Sequence, residues 1–224
     1  MTDRVARRLA QDQNTTELLL VRHGETDWNA AGRIQGQTDI ELNAVGLAQA
    51  QRLARALEAE TIDKVWCSDL LRTRQTVAPL LAQRGLTAVF DARLRERHFG
   101  RLQGLSREQI AERDPMAMAN LEARDIHDDF DGGESLVTFH ERCTRLLDTV
   151  VAQSPGQRVL IVAHGGVLDS LYRYAAGVSL QTRRAWGLRN AALNRLRVLP
   201  GQPLRFEILV WDDARHLHDA QDEY

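Results

Sequence analysis

Two short, continuous apolar runs dominate the hydrophobic pattern of the chain. Leu18 to Arg22 and Val159 to Ala163 are apolar at almost every position, which is typical of strands buried on both faces of a parallel sheet. Elsewhere in the chain, several weaker strand patterns are flanked by turn-forming residues. These further strands are predicted at residues 63–67, 87–90, 193–199 and 205–210, the last two forming a hairpin across Pro200-Gly201-Gln202-Pro203.

Between the strands, apolar residues recur at the three- and four-residue spacing of amphipathic helices. One helix is predicted at about 46–59, with Leu47, Ala50, Ala54 and Leu57 on its buried face. Others are predicted at about 70–83 and from residue 135 onward. Strands that alternate with helices predict an α/β fold. We expect a three-layer sandwich: a mostly parallel central sheet, helices on both faces and one antiparallel edge strand.

The polar pattern suggests one domain between two tails. We expect a flexible N-terminal tail at residues 1–16, a single domain at 17–212 and an acidic C-terminal tail at 213–224. Residues 100–133 are rich in charge, lack a strand pattern and contain short helical pieces. Long insertions in compact domains are often functional, so this one is predicted to be lid-like, with a plain surface excursion as the alternative.

Charge and apolar run length narrow the class of protein. A formal net charge of −2 over 224 residues argues against a general nucleic-acid binder. No apolar run approaches the roughly 20 residues of a membrane span, and a cytoplasmic location is expected. Cys67 and Cys143 lie in apolar contexts without Cys-x-x-Cys spacing, as expected for reduced thiols. His216-x-His218 follows the last strand in an acidic segment, and no metal site is predicted there.

Two predicted strands end in a His-Gly pair. His23 follows Arg22 at the end of the first strand, and His164 follows the apolar run at 159–163. Because the carboxyl ends of parallel strands share one edge of a sheet, the two imidazoles are predicted to converge on one pocket. Gly24 and Gly165 lack a Cβ, which lets the backbone turn sharply and approach a bound anion.

Two further residues suit phosphoryl transfer. Arg72 is predicted in the first turn of a helix, where the helix dipole favours anions, and with Arg22 it can neutralise a phosphate. An expelled alkoxide must be protonated, and Glu96 is a candidate acid. Repulsion from the phosphate charge favours its protonated form. The alternative for Glu96 is an ion pair with Arg95 or Arg97.

Six motifs that occur in order carry a family resemblance. They are Arg22-His23-Gly24-Glu25-Thr26-x-Trp28-Asn29, Gln35-Gly36-Gln37-x-Asp39-x-x-Leu42, Ser68-Asp69-x-x-Arg72-x-x-Gln75-Thr76, Glu96-x-x-x-Gly100, Gly132-Gly133-Glu134-Ser135 and His164-Gly165-Gly166. From Leu18 to Val210 the chain resembles the phosphoglycerate-mutase-like histidine phosphatases. Cys67 departs from the pattern, in which serine is usual.

The resemblance implies roles for individual residues. His23 is the expected nucleophile and becomes phosphohistidine, while Glu96 protonates the leaving group and then activates water. The expected phosphate pocket is formed by Arg22, Arg72 and His164. No metal or cofactor is expected. Substrate binding is further expected at Gly24, Asn29, Gln35, Gly36 and Gly165.

Protonation states follow from these roles. His23 must be neutral to attack, with its proton-bearing nitrogen held by an acceptor such as a backbone carbonyl. His164 is expected to serve better as a cation, because a dianionic substrate promotes its protonation.

Three functions fit the motifs. A phosphatase acting on a small phosphorylated substrate is favoured over a phosphoglycerate mutase, because the segment from Gly104 to Gly132 is short and acidic and suits a bisphosphorylated cofactor poorly. A non-catalytic phospho-ligand-binding module is the third option, although it would need no general acid. The physiological substrate and the oligomeric state, with a homodimer as one option, stay open.

Overall fold

The computed structural model describes residues 15–201 and 203–217. Six strands form one sheet in the order β3-β2-β4-β1-β5-β6. The first four strands run parallel to one another, whereas β5 runs antiparallel to both β1 and β6. The predicted α/β fold is therefore confirmed, with the antiparallel pairing at one edge. The strands are β1 (Glu17–Arg22), β2 (Lys64–Cys67), β3 (Ala88–Phe90), β4 (Arg158–Ala163), β5 (Leu193–Leu199) and β6 (Arg205–Asp213).

Helices cover both faces of the sheet. They are α1 (Asp27–Ala30), α2 (Ala44–Ala56), α3 (Leu71–Arg84), α4 (Arg107–Arg113), α5 (Pro115–Ala123), α6 (Leu136–Ala152) and α7 (Gly165–Ala176). Alternate side chains of a strand point to opposite faces, so Leu18 and Leu20 pack with α6 and α7, while Leu19 and Val21 pack with α2 and α3. The central strands are thus buried on both sides, as their apolar runs predicted.

One predicted core position is wrong. The helix predicted at 46–59 runs from Ala44 to Ala56, and Leu47 is 48% exposed. Its buried stripe contains Gly46, Ala50, Leu53 and Ala54. Gly46 faces inward because the chain after β1 passes against it: a Cβ at Gly46 would lie 2.1 Å from the carbonyl oxygen of Glu25.

The predicted tails lie largely outside the described residues, and their described parts are ordered into the fold. Thr16 is buried and its hydroxyl donates a hydrogen bond to the carbonyl of Ser154. At the other end, β6 continues to Asp213, and Arg215–Leu217 forms a 3₁₀ turn. A carbonyl of that turn, at Leu217, accepts a hydrogen bond from Arg52 on α2.

The segment at 100–133 forms a small helical cap with its own apolar cluster. A 3₁₀ turn at Gly100–Leu102 precedes α4 and α5. Leu102, Ile110, Ala117 and Phe130 are buried against one another. This cluster packs the cap internally, and cap residues line a cavity together with Gly166 of α7. Among the described residues, no helix has the length and apolar character needed to cross a membrane.

Candidate active site

The pairing of β1 with β4 brings two histidines together. Arg22 lies opposite Ala163 in the parallel register, so His23 and His164 follow neighbouring positions. The amide of His23 continues the ladder by donating to the carbonyl of Ala163 at 2.9 Å. Both side chains are buried, and their ring centroids lie 5.3 Å apart. The structure therefore assembles the pair that the two strand ends predicted.

The ring of His23 is held in one orientation by its own loop. Its Nδ1 lies 2.7 Å from the carbonyl oxygen of Gly24. A carbonyl can only accept, so Nδ1 carries the proton and Nε2 keeps a free lone pair. Burial, reinforced by Arg22 and Arg72, lowers the pKa of His23 well below its usual value. The neutral imidazole that a nucleophile requires is thus the stable form.

The loop after β1 is anchored at Gly24. Its amide donates to Oγ1 of Thr76 on α3 at 2.9 Å. A Cβ at Gly24 would lie 2.7 Å from the carbonyl oxygen of Gly46, so a larger residue would force the loop away from α2. These contacts fix the carbonyl that orients His23.

Arg72, fully buried in the first turn of α3, holds His164 and a neighbouring loop. Its Nε donates to Nδ1 of His164 at 3.2 Å. Its two terminal nitrogens donate to the carbonyls of Thr38 at 2.9 Å and Gly36 at 2.7 Å. Burial lowers the pKa of Arg72 to about 10, so it stays charged at neutral pH. Gly36 thereby contributes to the site through its carbonyl.

These contacts define the state of His164 in the free site, whereas its protonation beside a bound dianion stays a prediction. Because Arg72 donates to Nδ1, that nitrogen carries no proton, and Nε2 donates to Oγ of Ser68 at 2.8 Å. Burial, followed by the charge of Arg72, lowers the pKa of His164 well below its usual value. His164 is therefore neutral in the free site, since a guanidinium rather than a carboxylate faces it.

Arg22 lies between the sheet edge and α7. Its Nη1 donates to the carbonyl of Leu188 at 2.6 Å. Its Nε is buried and has no hydrogen-bond partner among the described residues. A Cβ at Gly165 would lie 3.4 Å from this nitrogen, an ordinary contact distance. A buried donor without a partner is costly, so Arg22 Nε is suited to receive an anionic oxygen.

Glu96 is held by backbone amides. One carboxylate oxygen accepts from the amide of Arg97 at 2.8 Å, and the other accepts from the amide of Gly166 at 2.8 Å. Arg95 instead forms an ion pair with Asp69 at 2.6 Å. The guanidinium of Arg97 donates to backbone carbonyls of residues 128 and 134. The ion-pair alternative for Glu96 is therefore wrong.

Asn29 and Gln35, two predicted substrate-binding residues, differ in their side-chain contacts. Oδ1 of Asn29 accepts from the amide of Thr26, closing the capping box of α1, and from Nδ2 of Asn190. Gln35 is buried, and its Oε1 has no hydrogen-bond partner among the described residues. Asn190 was missed by the sequence analysis, although its Nδ2 also donates to the carbonyl of His23 at 2.8 Å.

A cavity of about 570 Å³ opens beside Arg22, Glu96 and Gly166, under the cap. The acidic composition of the segment from Gly104 to Gly132 led us to expect a poor fit for a bisphosphorylated ligand, but the cavity lining differs from that composition. Most of the cap's carboxylates lie away from the cavity, and Asp125 is the one among them that lines it. The wall instead contains six arginines: Arg22, Arg33, Arg97, Arg107, Arg124 and Arg184.

Comparison with known proteins agrees with the site geometry. Residues 18–213 match the histidine phosphatase superfamily, branch 1. The chain belongs to this superfamily. It is 38% identical over 214 residues to phosphoglycerate mutase-like protein 4 of Arabidopsis thaliana, covering 94% of this chain and 91% of that protein. It is 37% identical over 209 residues to the metal-independent phosphoserine phosphatase of the same plant, covering 92% and 85%.

Solved structures share the fold along nearly the whole chain. Bacillus stearothermophilus YhfR superposes with a TM-score of 0.84 at 29% identity, covering 91% of this chain and 100% of that one. The mycobacterial glucosyl-3-phosphoglycerate phosphatase Rv2419c superposes with a TM-score of 0.80 at 32% identity, covering 89% and 100%. The family resemblance and the fold are thus confirmed, and phosphatases and mutase-like proteins both occur among the relatives.

Proposed function

We propose that this protein is a metal-independent phosphomonoester hydrolase that forms phosphohistidine at His23. The observation that carries the proposal is the hydrogen bond of Nδ1 to the carbonyl of Gly24, which leaves Nε2 free beside two arginines. Substrate would be a small phosphorylated metabolite, as the names of two relatives suggest for those proteins.

In the first step, the Nε2 lone pair of His23 attacks phosphorus and the bond to the ester oxygen breaks. Glu96, protonated for this step, gives its proton to the departing alkoxide. Arg22 and Arg72 balance the charge on the phosphoryl oxygens throughout, which stabilises the transition state. A transferred phosphoryl group remains on His23, and Glu96 is left as carboxylate.

In the second step, the Glu96 carboxylate takes a proton from water as the water oxygen attacks phosphorus. The phosphorus–nitrogen bond breaks and inorganic phosphate leaves. His23 returns to the neutral ring, with its Nδ1 proton still donated to Gly24. His164 enters the cycle neutral, so it acts first as a hydrogen-bonding partner of Arg72 and gains a proton only if the bound dianion supplies the charge.

A mutase is the second candidate, because the arginine-lined cavity can accept a doubly charged ligand. Relatives named as mutase-like or probable mutases support the same option. A pure binding module is disfavoured, since binding alone would not require the oriented Nε2 of His23. The proposal includes a cytoplasmic location, in which Cys67 and Cys143 remain buried free thiols with pKa values raised to about 12.

The deciding experiment compares two reactions, phosphomonoester hydrolysis with and without EDTA and phosphoglycerate isomerisation, in purified wild type and His23→Ala. Turnover of p-nitrophenyl phosphate by the wild type, undiminished by EDTA and abolished in the variant, is the expected result. EDTA inhibition would contradict a metal-independent mechanism. If 3-phosphoglycerate is isomerised faster than it is hydrolysed, and only in the presence of 2,3-bisphosphoglycerate, the protein is a mutase and the proposed hydrolase activity is wrong. Absence of both reactions with every phosphomonoester tested would favour the binding module.

A further inference from the structure

The cavity beyond the reacting phosphate has more positive charge than a single phosphate needs. Its six arginines face three carboxylates, those of Glu96, Asp125 and Asp169. A bound phosphate dianion would still leave the wall positive. Under the proposed function, Glu96 carries out proton transfer at the reacting phosphate. Its charge therefore does not offset the arginines that face the rest of the substrate. The excess positive charge therefore lies in the part of the cavity that would hold the rest of the substrate.

Most of these arginines already have partners within the protein. Arg33 donates to the carbonyl of Gly104, and Arg97 donates to backbone carbonyls of the cap. Arg107 pairs with Glu122, although both side chains are exposed. Such contacts leave these groups less available to a ligand than a cation without any partner.

Asp169 does not supply negative charge to the cavity. It is 8% exposed and lies between two arginines, with Oδ2 accepting from Arg173 at 2.9 Å and from Arg124 at 3.3 Å. The buried Arg173 and the half-buried Arg124 together outweigh its single charge. The far wall is thus positive even where it contains a carboxylate.

Arg184 differs from the other arginines of the wall. It lies in the loop between α7 and β5 and lines the cavity. Within residues 15–201 and 203–217, the side chain of Arg184 has neither a hydrogen bond nor an ion pair. It lies close enough to Arg22 and Arg124 for its charge to lower the pKa of each, after the larger effect of burial. Cations this close repel one another, and an anion between Arg184 and its neighbours relieves that repulsion.

We propose that Arg184 binds a second anionic group of the substrate, a carboxylate or another phosphoryl group. This inference rests on the proposed function, because Arg22 and its neighbours must hold the reacting phosphate. It narrows the substrate class to small phosphorylated acids or bisphosphates. A guanidinium suits this role since it grips either oxyanion with two parallel hydrogen bonds.

The test uses substrates that differ in one charged group. Glycerol 3-phosphate and 3-phosphoglycerate share a three-carbon chain, but only the latter has a carboxylate. Fructose 6-phosphate and fructose 1,6-bisphosphate provide the corresponding phosphoryl comparison. Arg184→Gln removes the charge at the cavity, and Arg183→Gln is the matched control, because Arg183 is also exposed but does not line the cavity. Melting temperatures of both variants verify the fold.

We expect Arg184→Gln to lower kcat/KM for the carboxylate or bisphosphate substrate about ten- to hundredfold, the usual effect of losing a hydrogen bond to a charged group. The matched substrate with one anionic group should change less than about threefold. A selective loss in one pair identifies the second group as carboxylate or phosphoryl. Arg183→Gln should leave kcat/KM unchanged for all four substrates.

Equal losses for both members of each pair would overturn the inference, since Arg184 would then act on the reacting phosphate. No loss with any substrate, or the same loss in Arg183→Gln, would also overturn it. Failure of the wild type to hydrolyse any of the four esters is a different result, because it contradicts the proposed hydrolase rather than the role of Arg184.

Discussion

Replacing Gly166 with alanine tests how strictly the position of Glu96 controls catalysis. A Cβ at this position would lie 2.2 Å from Oε1 of Glu96, whereas ordinary contact begins at 3.4 Å. The carboxylate must therefore move by about 1 Å. A displacement of that size in a reacting group costs roughly 100-fold in rate, or about 2.7 kcal/mol of transition-state stabilisation. The backbone at 166 is helical, so alanine itself is well tolerated there.

The assay separates the two chemical steps by the choice of leaving group. p-Nitrophenolate leaves without a proton, so the first step with p-nitrophenyl phosphate should tolerate a displaced Glu96. Hydrolysis of the phosphohistidine still needs a base. Stopped-flow measurement of Gly166→Ala should therefore show a rapid burst of p-nitrophenol, equal to the enzyme concentration, before a steady state about 100-fold slower than wild type. With glycerol 3-phosphate, both steps should be slow.

Two comparisons control this experiment. Glu96→Gln preserves volume but cannot transfer the proton, so it should give the same burst. Gly165→Ala places its Cβ 3.4 Å from Arg22 Nε and away from Glu96, so any loss that it causes should slow the first step as well and give no burst. Wild-type steady-state rates in Gly166→Ala, or a first step slowed equally for both leaving groups, would refute the assignment of Glu96 as the proton-transfer group.

Three further results are expected. Because burial and two arginines hold the pKa of His23 well below its usual value, the acid-side inflection of kcat/KM should follow the second ionisation of each phosphate ester. A further inflection that stays near pH 6.5 for every substrate would count against a buried neutral nucleophile. The rings of His23 and His164 stay neutral in the folded protein at pH values where the unfolded chain takes up protons. As the pH decreases below 6.5, the free energy of unfolding should therefore decrease, by up to about 1.4 kcal/mol per pH unit for each ring. Urea titrations at pH 7.5 and 5.5 measure this dependence, and His164→Asn should reduce its slope. Arg72→Lys cannot maintain donors to three separate acceptors, so kcat/KM should drop at least about 100-fold, whereas exposed Arg74→Lys should match the wild type.

The central part of the fold could be predicted because its sequence pattern has one physical interpretation. Four successive apolar residues before Arg22 are too few for a buried helix and fit a strand that is buried on both faces. The mostly parallel sheet then requires the residues after β1 and β4 to share an edge, and this places His23 beside His164. Leu47 was misplaced because a helical spacing defines a face only to within one residue, and a close backbone contact at Gly46 determined the rest.

The site could be predicted where a residue's role depends on its own type. His23, Arg72 and Glu96 have chemistry that few other side chains could replace. The tautomer of His164 in the free site could not be predicted, because it depends on which atom of Arg72 faces the ring. The contribution of Asn190 comes from a loop 167 residues beyond His23, and no spacing connects the two.

The cavity wall shows a second limit of sequence reasoning. The composition of the cap is acidic, yet composition does not say which side chains face solvent. Asp114 pairs with Arg101 on the outside, while Arg184 reaches the cavity from a different loop. Charge counted along a segment was therefore a poor guide to charge at the site.

The central claim is that Nε2 of His23 accepts the phosphoryl group. The most direct measurement traps the intermediate with a fast-reacting phosphomonoester, using Gly166→Ala to slow its hydrolysis, and locates the phosphoryl group by NMR and peptide mass spectrometry. The account predicts phosphorus on Nε2 of His23, because Nδ1 is occupied by its hydrogen bond to Gly24. Phosphorylation at Nδ1, at His164 or at no residue during active turnover would contradict it.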